Sequence, residues 1–77
     1  MADSVHPLRR FRLSHDPVMP REDLAALIGV SIPTVHRWES GARKVDVDLL
    51  SHVAAVTGIP ARDLRPDLAR LFAEAGQ

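Results

Sequence analysis

The sequence has no cysteine. Disulfides, thiolate metal sites and cysteine nucleophiles are therefore excluded. It also lacks any apolar run near the ~20 residues that a membrane-spanning helix needs. The opening Met1–Pro7 lacks the basic-then-apolar order of a secretory signal, so a cytoplasmic protein is expected, with no membrane partner. An excess of charge is missing too: ten Lys and Arg balance ten Asp and Glu, which does not suit a protein that coats nucleic acid indiscriminately. There is no Gly-rich phosphate loop and no nucleophile motif. The four histidines, His6, His15, His36 and His52, are scattered without metal-ligand spacing. No metal, no cofactor and no catalysis are expected.

What is present is enough apolar material for one small helical domain. Hydrophobic residues make up 45% of 77, too many for a disordered chain. The charge, neutral in sum, is unevenly placed. Residues 1–45 carry seven basic side chains (Arg9, Arg10, Arg12, Arg21, Arg37, Arg43, Lys44) against five acidic ones, and residues 46–77 carry three against five. The positive surface is expected in the first half.

Residues 21–41 are the most informative stretch. Leu24, Ala25 and Ile28 lie at helical spacing on one face. Gly29 then ends that helix, since only Gly takes the left-handed conformation without steric cost. Val30 is an apolar turn residue. Ser31 can cap a second helix through its hydroxyl, and Pro33 is tolerated in the first turn, where backbone N–H groups have no intrahelical partner. Val35 and Trp38, three apart, point back at the first helix and leave Ile32, His36 and Arg37 outside. Two helices, about 21–28 and 32–40, joined by a Gly turn and showing a polar, basic outer face, make a helix-turn-helix.

Leu24-Ala25, Gly29-Val30-Ser31, Thr34-Val35 and Trp38-Glu39-Ser40-Gly41 resemble the phage Cro and repressor type of helix-turn-helix. The resemblance covers roughly residues 7–65 and implies an all-α, five-helix, lambda-repressor-like DNA-binding fold with a short extra C-terminal helix. It implies further roles. Ile32, Pro33, His36 and Arg37 would face bases in the major groove. Arg21, Ser31, Thr34, Ser40, Arg43 and Lys44 would lie along the DNA backbone, with Thr34 a phosphate or cap residue rather than a reader. Arg12 and Glu39 match a pair that ties helix 1 to the recognition helix, against the alternative of a solvated surface Arg12.

Chemistry ranks the base-facing set. Arg37 can grip guanine N7 and O6 with two hydrogen bonds, or hold a phosphate instead. His36 can donate to a guanine or a phosphate, or stay in solvent. Ile32 departs from the Gln common in the family. It can touch a thymine methyl or pack on the loop, and it removes the usual expectation of adenine at that step.

Around this motif, residues 1–6 are expected to be a flexible N-terminus and 7–65 the DNA-binding domain. Pro7 starts helix 1, with Leu8, Phe11 and Leu13 inward and Arg9, Arg10 and Arg12 outward. Ser14–Pro20 is a loop, about two residues longer than the family norm. Asp46 is a fair N-cap for helix 4, whose stripe is Leu49, Leu50, Val53, Ala54 and Val56, and Pro60 starts a fifth helix. Residues 66–77 form a C-terminal extension. Gly58–Leu68 is similar to the C-terminal part of YdaS-like small regulators. Leu64, Leu68, Leu71 and Phe72 fall at i, i+4, i+7, i+8 and are expected either to join two copies or to fold back as core.

The function expected is a sequence-specific, double-stranded DNA-binding regulator, a repressor acting as a homodimer on a short palindromic operator. RNA polymerase or an antagonist protein is a further possible partner. The alternative is an antitoxin or protein adaptor built on the same motif.

Overall fold

The structure is a computed structural model that describes residues 5–71. Among these there is no strand, and the helices are α1 Pro7–Leu13, α2 Arg21–Ile28, α3 Ile32–Ser40, α4 Val47–Thr57 and α5 Ala61–Leu64, followed by a 3-10 turn over Pro66–Leu68 and by helical residues 69–71. The chain divides into two compact units, one up to Lys44 and one from Val45.

In the first unit α3 packs against both α1 and α2. Leu8, Leu24, Ala25, Ile28, Val35 and Trp38 are buried, and Trp38 is the largest side chain taken fully inside. Helix α1 corrects two expectations. Arg12 is buried, although it was expected to project outward, and Leu13 is 46% exposed, although it was expected inward. At about 100° per residue, Arg12 stands one turn after Leu8 on the same face, whereas Leu13 is rotated away by about 140°. His6 was placed in the flexible N-terminus. Instead it occupies the N-cap position of α1, its ring Nδ1 accepting the Leu8 N–H at 3.1 Å. The following loop contains a cis Asp16–Pro17 peptide.

The turn between α2 and α3 rests on Gly29, whose φ is +93°. Its N–H and that of Val30 both return to the carbonyl of Ala25, at 2.7 and 3.0 Å. This closes α2 and aims the chain into α3 within two residues. An added Cβ at Gly29 would meet nothing within 4 Å, so glycine is required there for its backbone and not for space.

In the second unit α4 packs on α5, with Val45, Leu50, Val53 and Leu64 buried. Leu49, Ala54 and Val56 of the expected stripe are half-buried. Asp46 sits at the N-cap of α4, but its side chain makes no capping bond, and only its carbonyl accepts from Leu49. The single apolar face read through Leu64, Leu68 and Leu71 does not run along one helix. Pro66 keeps the preceding Arg65 out of the helical region (φ −133°, ψ 73°), so Leu64 and Leu68 belong to different elements. Arg65 donates to the Val45 carbonyl at 2.7 Å and to both oxygens of Asp67 at 3.0 and 2.9 Å. It fastens the end of α5 to the start of the unit, a role that nothing in its immediate sequence announced.

Replacing Gly29 with Ala is expected to destabilise the protein by about 1 kcal/mol, the cost of a left-handed L-residue without a clash, and Asn at the same position should cost less. Urea unfolding of the two variants checks this, and an Ala variant as stable as the parent would contradict it.

Candidate nucleic-acid interface

The outer side of α3 is an open surface. Ile32 is 48% exposed, and Pro33, His36 and Arg37 are exposed as well. The side chains of His36 and Arg37 make no hydrogen bond or ion pair with the described residues. At the start of the helix the Ser31 Oγ accepts the Thr34 N–H at 3.2 Å, and the Ser31 and Thr34 hydroxyls bond to each other at 2.8 Å. Two hydroxyl protons serve one mutual bond, so whichever oxygen donates, one proton of the pair stays available to an outside acceptor. Ser40 differs. Its hydroxyl donates to the Arg37 carbonyl at 3.2 Å and accepts the Ala42 N–H at 3.3 Å. Its proton is directed into the turn that closes α3.

Gly41, with φ +85°, reverses the chain after α3. The Arg43 N–H reaches back to the Arg37 carbonyl at 3.1 Å. This folds Arg43 and Lys44, both exposed, beside the end of the helix that carries Arg37.

The orientation of α3 is held from behind by Glu39. Its carboxylate accepts Arg12 Nε at 2.6 Å and Arg12 Nη2 at 2.7 Å, a paired grip, and Arg21 Nε at 3.2 Å. The Arg12 and Glu39 side chains are 8% and 3% exposed. Arg12 also donates from Nη1 to the Met19 carbonyl at 3.1 Å, while its own carbonyl accepts the Met19 N–H at 3.1 Å. One arginine therefore closes the α1–α2 loop and clamps α3. A buried pair of this kind adds little net stability against an apolar equivalent, but removing one partner strands a charge and costs about 3–5 kcal/mol.

The protonation of this cluster follows from its surroundings. Burial pushes the Glu39 carboxyl up, but the hydrogen bonds and charge of Arg12, and then of Arg21, outweigh it and hold the group below its ordinary value. His6 is held below its ordinary value by burial, partly offset by the nearby Glu39 carboxylate. The neutral ring fits its role, since Nδ1 must be unprotonated to accept from Leu8.

Of the residues expected at the site, Ile32, Pro33, His36 and Arg37 share the open side of α3, Arg43 and Lys44 lie beside its end, and Arg12 and Glu39 meet. Arg21, expected to face a phosphate, touches Glu39 across 18 residues of sequence. That contact carries no local sequence signal, whereas the His6 cap directly precedes Pro7, the residue that marks the start of α1. Among the described residues no group of His, Asp or Glu is placed to hold a metal ion, and no helix is long and apolar enough to cross a membrane.

A capped helix held from behind, with its basic outer side uncovered after a glycine turn, defines a helix-turn-helix unit. Comparison with known families agrees. The family model described as helix-turn-helix, of the Cro type, matches residues 19–64, more than half of the chain. The chain belongs to this family of DNA-binding transcription regulators. The match ends at Leu64 and does not bear on the likeness of the C-terminal end to YdaS-like regulators. No significant match is found among curated proteins or among solved structures.

Both lowered groups favour the fold only while deprotonated. The His6 contribution is fully present above its unfolded value of about 6.5 and is lost as pH falls through its lower folded value. The Glu39 contribution is present above about 4.3 and is lost further into acid. The melting temperature is therefore expected to fall in acid in two stages. His6→Asn, which can still cap but does not titrate, should remove the upper stage, the one that begins as pH falls below about 6.5. If the His6→Asn variant loses stability in that stage as the parent does, His6 is not the group responsible.

Proposed function

We propose that this chain binds a short, near-palindromic operator as a homodimer and represses transcription by occupying promoter DNA. The observation that carries the reading is the uncovered outer side of α3, where Arg37 and His36 project without partners among the described residues, beside the exposed Arg43 and Lys44. Arg37 is assigned to a guanine through N7 and O6, and Ile32 to a thymine methyl. His36 and Pro33 complete the groove-facing set. Arg21, Arg43, Lys44 and one hydroxyl of the Ser31–Thr34 pair take backbone phosphates.

A neutral chain has little non-specific attraction to DNA, so affinity must come from direct readout and from pairing two copies. The C-terminal end supplies the apolar surface. Leu71 is 57% exposed and Leu68 is half-buried, whereas Leu64 is only 4% exposed, belongs to the core of its own chain, and is withdrawn from the interface. Phe72, the fourth residue expected there, lies outside the described residues. Two-fold pairing would set the recognition helices ~34 Å apart, one DNA turn. RNA polymerase or an antagonist protein would then act on the bound dimer. The zero net charge and the exposed Ile32 favour a second reading, a protein adaptor or antitoxin on the same scaffold. Partner capture by a chain that binds no duplex would select it.

Duplexes selected from a random pool provide the test. Arg37→Ala should lose about tenfold or more on the selected sequence and little on random DNA, whereas Arg43→Ala should weaken both alike and flatten the salt dependence. Equal losses for both variants on both DNAs would remove Arg37 from base reading.

Leu71→Glu should convert a dimer to a monomer in sedimentation. An unchanged dimeric mass would move the interface elsewhere.

A further inference from the structure

Arg21 differs from the other basic residues of the interface in being held at one end only. Its side chain is 42% exposed, and its one protein contact is Nε to Glu39 Oε1 at 3.2 Å. Glu39 does not need that contact for charge balance, because Arg12 already holds both of its oxygens at 2.6 and 2.7 Å. A third, longer, half-exposed contact on a neutralised carboxylate adds little to stability. Its geometric effect is larger. A guanidinium fixed through Nε keeps its two terminal NH2 groups, four donors in a plane, for another acceptor. Three charges meet at this point, two positive and one negative, and the surplus positive charge lies on the exposed member.

We propose that Glu39 is a positioning residue for DNA binding: its carboxylate anchors Arg21 through Nε, so that the free end of the guanidinium is already aligned to take a backbone phosphate oxygen pair at the start of α2. This rests on the DNA-binding reading above and specifies how one of its phosphate contacts is built. An arginine in open solvent loses its rotamer freedom on meeting a phosphate, and an anchored one has already lost it when the protein folded. The carboxylate that fixes α3 thereby also fixes the phosphate contact made from α2. The register of the recognition helix and the grip on the backbone are set by one group. A lysine cannot replace this arrangement. Its single ammonium can sit on Glu39 or reach outward, but it has no rigid second arm to do both.

The test compares Arg21→Lys and Arg21→Ala in the full chain, measuring binding to a duplex of random sequence over a range of salt. The anchored arrangement predicts that Arg21→Lys loses about fivefold in affinity, the factor for immobilising one flexible side chain, with the salt slope unchanged because the charge is kept. Arg21→Ala should lose more and lower the slope by about one. Melting temperatures close to the parent in both variants would separate positioning from a structural role. Glu39→Gln should weaken DNA binding more in the parent than in the Arg21→Ala background, where only its hold on α3 through Arg12 remains to be lost. If that variant fails to fold, the Arg21 Nε–H resonance of the parent decides the point. Protection from solvent exchange in the free protein, retained on the duplex, supports the anchor, and fast exchange overturns it. An Arg21→Lys variant that binds like the parent overturns the positioning role alone. A parent that binds no duplex at all overturns the DNA-binding reading together with it.

Discussion

Three helices of the first unit converge on one buried carboxylate. Glu39 of α3 is gripped by Arg12 of α1, touched by Arg21 of α2, and through Arg12 tied to the Met19 backbone in the loop between them. A charge this deeply placed has no good alternative state. It must find its cations or the unit must open. That severity makes the cluster useful. Apolar contacts among Leu8, Leu24, Val35 and Trp38 supply most of the favourable burial, but such contacts tolerate sliding and rotation. A two-point guanidinium–carboxylate bond does not. The hydrophobic core makes the unit fold, and the carboxylate fixes the angle at which α3 is presented.

The same arrangement explains how a chain without net charge belongs to a DNA-binding family. Glu39, the acid nearest to the reading surface in sequence, is turned inward and consumed by two arginines. The open side of α3 therefore shows Arg37 and His36, with Arg43 and Lys44 beside it and no carboxylate among them. What matters for the groove is the local field and not the sum over 77 residues.

Much of this was legible from the sequence, and the failures have definite causes. The limits of α2 and α3 follow from Gly29, Ser31, Pro33 and Gly41, residues whose backbone chemistry acts locally. The outer set of α3 follows from helical spacing once Val35 and Trp38 are assigned inward. What could not be read is what depends on contacts distant in sequence. Charge alone placed Arg12 outside, because a charged side chain is ordinarily solvated, although helical spacing puts it on the Leu8 face. Only its family likeness pointed to Glu39. The Arg21 contact and the fastening of Val45 by Arg65 have no local pattern at all. The C-terminal stripe failed for a different reason. Its spacing assumed an unbroken helix, and Pro66 does not allow one through Arg65.

The most direct test of the central claim, that the uncovered side of α3 is the surface offered to DNA, is a titration of the isotope-labelled protein with a selected duplex, followed through its backbone amide resonances. Shifts concentrated at Ser31–Arg37 and at Arg43 and Lys44, with α4 little changed, are the predicted result. Saturable binding whose shifts fall on α4 and spare α3 would contradict the account.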